Sequence, residues 1–144
     1  MSKSKKILYI STVSILIILI VCTVLSKFIS EAIMPTVEVL NPVRMELSVF
    51  DDDTGEVITQ VYEIVLPVGA IIEGAENRKY VYIIRQRKGL FGQEHYAVFL
   101  EVRVIADDDI YVALGGWSVT MFDDVVLSSS DYLTSGEVVK VINK

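Results

Sequence analysis

A chain of 144 residues has room for one membrane segment and one compact domain, but not for two full domains. Its formal net charge of −6 conceals an asymmetry: Lys3, Lys5 and Lys6 precede an apolar run, whereas all 19 acidic residues follow it. So acidic a surface repels phosphate backbones, which argues against nucleic acid as a partner, and the single cysteine, Cys22, allows no internal disulfide framework.

In chain order, residues 1–6 read as a cytoplasmic N-terminus and residues 7–26 as a transmembrane anchor. No charge interrupts the stretch between Lys6 and Lys27. Wound as a helix, it covers about 30 Å, the thickness of a bilayer's hydrocarbon core. The three lysines before it predict the N-terminus inside the cell and the following domain outside. A cleaved signal peptide has a shorter apolar region and a small-residue exit, which Cys22-Thr23-Val24-Leu25-Ser26-Lys27 does not provide. A lipoprotein signal wants a small residue before the cysteine, where Val21 stands. The expectation is an uncleaved single-pass anchor in the cell membrane, with the lipid bilayer as the partner of residues 7–26. Residues 27–35 read as a linker, and Pro35 ends any helical continuation because it lacks a backbone donor.

Residues 36–144 read as an extracytoplasmic β-domain. Val43, Met45, Leu47 and Val49 alternate with Arg44, Glu46 and Ser48, the period of a half-buried strand. Asp51-Asp52-Asp53-Thr54-Gly55 supplies a turn, and a return strand over 57–66 completes a hairpin. The β-branched and aromatic run 80–85 reads as a strand that pairs with the alternating run 96–104. Short strands over 110–114, 124–127 and 137–142 follow, separated by Gly115-Gly116, Ser128-Ser129-Ser130 and Ser135-Gly136. Several short strands with regular turns give an all-β fold class, a small barrel or sandwich preceded by one membrane helix. No heptads, internal repeats or low-complexity tracts are present.

Reactive constellations are scarce. The one histidine, His95, has no second residue at metal-ligand spacing and reads as a strand residue at a hairpin end. Gly116-Trp117-Ser118-Val119-Thr120 lacks the last glycine of a nucleophile elbow, and no phosphate-binding glycine loop occurs. The triplets 51–53 and 107–109 read as solvated turns rather than calcium loops, since the first has Gly55 in the fifth position and no distal glutamate. Trp117, Tyr80, Tyr82, Phe91 and Phe99 read as packing residues rather than as the walls of a ligand groove. No catalytic residue, metal ligand or cofactor-binding residue is expected, and no enzyme activity.

The runs VLPVGAI (65–71), KYVYIIRQRKGLFGQEHYAVFLEVRV (79–104), IYVALGGW (110–117) and DDVVLSSSDYLTSGEVVKVI (123–142) together carry a resemblance. They resemble the membrane-proximal β-domain of periplasmic adaptor proteins of the HlyD, or membrane fusion protein, family, in its Gram-positive branch. The anchor followed by MPTVEVLNPVRMELSVF (34–50) is similar to the opening of such adaptors. The helical hairpin and the lipoyl-like domain of a complete adaptor have no counterpart here. The resemblance implies a truncated, non-enzymatic, membrane-anchored adaptor-like subunit that meets a polytopic efflux or export transporter. The alternative is a truncated or self-associating structural membrane protein without a transport role, and homo-oligomerisation is left open.

Overall fold

A computed structural model describes residues 3–50, 54–90 and 92–142 of the chain, with side chains from residue 5 onward. It divides into two compact units, residues 1–34 and 35–144.

The first unit is a single helix, α1 (Lys3–Ile33). From Lys5 to Ile33 it is long and apolar enough to cross a membrane. Its isoleucines and leucines are exposed on every side, as suits a helix whose solvent is lipid rather than a protein core. The two threonines of the apolar run bond inside the helix: Thr12 Oγ1 donates to Leu8 O at 2.9 Å and Thr23 Oγ1 to Leu19 O at 2.8 Å. Such closure is what a medium without water demands. The helix continues beyond the apolar run, so 27–33 of the expected linker are helical. Lys27 and Glu31 lie one turn apart at 3.8 Å and support this extension. Pro35 follows two residues after the last helical one, where its missing N–H and its steric demand on Met34 stop the helix.

The second unit is built on strands. In chain order these are β1 (Thr36–Leu40), β2 (Val43–Phe50), β3 (Val57–Pro67), β4 (Ile72–Glu73), β5 (Lys79–Gly89), β6 (Gly92–Asp107), β7 (Tyr111–Gly115), β8 (Asp124–Ser129) and β9 (Val138–Ile142). The expected hairpin is present: β2 and β3 pair antiparallel from Val43 opposite Val65 to Phe50 opposite Val57. The expected partnership of the 80–85 and 96–104 runs is also present and longer, extending from Lys79–Val102 to Gly89–Gly92. The Asp51–Asp53 part of the first turn and Phe91 in the second lie outside the described residues.

Ring closure joins β6, β9, β1, β8 and β5 and returns to β6, giving a five-stranded barrel. Every pairing in the ring is antiparallel except β1 with β9. Closure removes the strand edges that an open sheet would leave. Val37, Ile84, Ala97, Val126 and Val139, one from each ring strand, form a buried cluster with Leu133 from the connection before β9. This is the barrel's centre.

The far half of β6 leaves the ring and pairs with β7, which pairs with β3 and through it with β2. A second cluster fills the opposite face of β5, β6 and β8: Val81, Ile83, Val102 and Val125 pack with Leu66, Val112, Leu114 and Val119. Leu47, Val65, Ala106 and Ala113 form a third, inside the side sheet. Strict alternation along β5 explains the division, because Val81 and Ile83 face one core while Tyr82 and Ile84 face the other.

Candidate docking surface

The segment between β7 and β8, residues 116–123, is anchored at three points and exposed between them. Gly116 starts it with φ +94°, a left-handed conformation that glycine adopts without steric cost. Val119 inserts into the second core and is only 4% exposed. Asp123 closes the segment as the one buried charged or polar residue among those described.

Asp123 closes a four-residue turn in both directions. Its backbone N–H donates to Thr120 O at 3.1 Å, while its Oδ2 accepts from Thr120 N at 2.7 Å and from Thr120 Oγ1 at 3.0 Å. Its Oδ1 accepts from the Arg85 guanidinium on β5 at 2.5 Å. Burial pushes the Asp123 carboxyl upward, but the Thr120 N–H, the Thr120 hydroxyl and Arg85 together outweigh it and hold the group below the usual carboxylate range. Asn41, just past β1, adds a further tie by donating through Nδ2 to Asp123 O and Asp124 Oδ1, both at 3.1 Å. The buried carboxylate therefore ties the turn to β5, while Asn41 ties the backbone at Asp123 and the first residue of β8 to the chain just past β1.

What this framework presents is apolar. Met121 and Phe122 occupy the apex of the Thr120–Asp123 turn, and Phe122 is 92% exposed; Trp117, nearer the start of the segment, is 97% exposed. Large aromatic side chains held in water on a braced loop are unfavourable for the isolated domain and are the residue types that dominate binding interfaces.

The surface lies at a defined end of the barrel. The chain enters β1 at Thr36, whose N–H and C=O bond to Ser130, and leaves at Leu40 opposite Val125. Asn41 and the Asp123 end of the segment are therefore at the exit end of β1, about 16 Å along the strand from the entry.

Other residues considered from the sequence take up separate places. His95 lies on β6 opposite Gln86, with Nε2 3.1 Å from Gln86 Nε2. Ser118 is exposed within the 116–123 segment. Tyr80 stacks on Phe99 with ring centroids 4.5 Å apart, and Tyr82 meets Phe99 at 4.9 Å, so these three rings pack across the β5–β6 ladder while Trp117 stands apart. Tyr82 also donates its hydroxyl to Leu133 O at 2.5 Å. In the second acidic triplet, Asp108 Oδ1 accepts from the N–H groups of Ile110 and Tyr111 at 2.8 and 2.6 Å and closes a turn before β7. Among the described residues, no three His, Cys, Asp or Glu side chains gather as metal ligands would.

Sequence reasoning passed over Asp123, Arg85 and Phe122. One local signal was available: Thr120 and Asp123, three apart, bracket two apolar residues, the pattern of a side-chain-closed turn with an apolar apex. The tie to Arg85 crosses 38 positions and has no local signature. Compared with known proteins, the chain matches no protein-family model and no curated protein.

Proposed function

We propose that this chain is a non-enzymatic, single-pass membrane subunit whose β-domain lies outside the cell membrane and docks, through the Trp117–Phe122 surface, on a polytopic transporter of the efflux or export kind. One observation carries the proposal: two aromatic side chains more than nine-tenths exposed, on a loop braced by a buried carboxylate. A rigid loop loses little conformational entropy on binding, which favours its use as a preformed docking element. The uncharged run 7–26, with lysines before it, supplies the anchor and the orientation. The likeness to the membrane-proximal domain of HlyD-family adaptors supplies the class of partner.

Tryptophan and phenylalanine also suit the lipid interface. The likeness to an adaptor domain favours a protein as the occupant, and an adduct with lipid is the outcome that would show otherwise.

A photoreactive amino acid at position 117 in the full chain, activated in native membranes, tests the reading. The expected product is an adduct with one multi-spanning membrane protein, lost when Phe122→Ala is added. Adducts with lipid, or only with further copies of this chain, would overturn it.

A further inference from the structure

The strand order places β2 at one end of the sheet, bonded to β3 on one side and, among the described residues, to no strand on the other. The opposite end of the order, β4, is two residues long and offers little to pair with. β2 runs for eight residues, Val43–Phe50. Among the described residues, its only side-chain hydrogen bond joins Ser48 to Thr59 of β3, and none of its backbone groups bonds outside the ladder. The register shift between Val43 and Met45 sets two steps on β2 against three on β3, so the irregularity belongs to β3 and β2 stays regular.

A regular open edge is a template for another strand, and proteins commonly protect such edges with charge. The charges here are of both signs and two residues apart: Arg44 and Glu46 are exposed on the same face of β2 and take part in no ion pair among the described residues. Edges carrying one sign repel their own copies, whereas this pattern is self-complementary.

We infer that β2 pairs antiparallel with β2 of a second copy of this chain, in the register whose two-fold axis passes through Met45. Directly opposed residues in an antiparallel pair share a face, so each axis position fixes the partners. An axis through residue 44 opposes Arg44 to its copy, and one through residue 46 opposes Glu46 to its copy; both are repulsive. An axis through Leu47 sets Arg44 against Phe50 and Glu46 against Ser48, with no charge gain. The axis through Met45 sets Arg44 against Glu46 twice and brings the exposed Val43 beside Leu47. One strand pair covers less area than a stable dimer of free domains needs. The association therefore belongs to chains confined to one bilayer, where local concentration is high, and for its strength it rests on the anchor proposed above.

The test uses the full chain with Cys22→Ser and Met45→Cys in native membranes, under mild oxidation. Residue 45 on the axis meets its own copy at a separation that a disulfide can bridge. A crosslinked dimer is expected. Arg44→Glu or Glu46→Arg alone should lower the dimer yield about tenfold, since two attractive pairs become repulsive. The double exchange Arg44→Glu with Glu46→Arg should restore it. Circular dichroism should show each variant folded, as Arg44 and Glu46 are exposed and Met45 is only partly buried against the third cluster. No dimer in the Met45→Cys chain, or a yield indifferent to the single exchanges, overturns the inference. Recovery of the chain in the soluble fraction would instead count against the anchor, which separates the two claims.

Discussion

Asp123 is the residue on which the docking loop depends. Its carboxylate satisfies the Thr120 N–H and hydroxyl and meets Arg85, so Asp123→Ala leaves a turn donor unpaired. The expected loss is about 2 kcal/mol, mostly from the Thr120 contacts. Arg85 is 46% exposed and keeps much of its hydration, so the ion pair itself adds little. The pH dependence follows in sign: the folded carboxyl titrates below its usual range, so its contribution is whole above the unfolded value of about 4 and fades as pH falls toward the folded one. Urea unfolding between neutral pH and about pH 2.5 checks this, since Asp123→Asn should be less stable than the parent at pH 7 and converge with it in acid. A constant difference across that range would contradict the assignment.

At the scale of elements, the 116–123 segment predicts two opposite responses from neighbouring positions. Val119 is buried in the second core, so Val119→Ala should lower stability by about 2 kcal/mol. Trp117→Ala and Phe122→Ala remove side chains that touch mainly water and should shift stability by no more than about 0.5 kcal/mol while abolishing partner capture. Thermal melts beside membrane pull-downs separate the two; a large stability loss at Trp117 would mean that it packs. The elements themselves were readable to different degrees. β2 and β6 announce themselves by alternation, β5 by its β-branched and aromatic composition, and β3 as the return strand after the turn at 51–55. β1 was included in the domain but not distinguished as a strand: five residues after a proline give little periodicity, and its importance comes from pairing with β8 and β9, about ninety to a hundred positions away. β4, two residues long, has no readable period. The helical stretch 27–33 was masked by its charges, although Lys27 and Glu31 are at helical spacing. Ring closure was anticipated as one of two outcomes; choosing barrel over sandwich needs the β5–β8 and β6–β9 pairings, which no local pattern encodes.

The whole molecule is a lipid-suited helix joined by two residues to a domain with three buried clusters of its own. Residues 35–144 should therefore fold without residues 1–34: the truncated chain should unfold cooperatively, give a β-type circular dichroism spectrum and no longer sediment with membranes. Failure to fold would mean that the helix supplies part of the core. Placement of the folded part outside the membrane is the premise on which the docking proposal stands, and thiol labelling tests it most directly. In a Cys22→Ser background, a membrane-impermeant maleimide should label Lys140→Cys in intact cells and Lys5→Cys only after permeabilisation. Protection of residue 140 until the cells are opened would contradict the account.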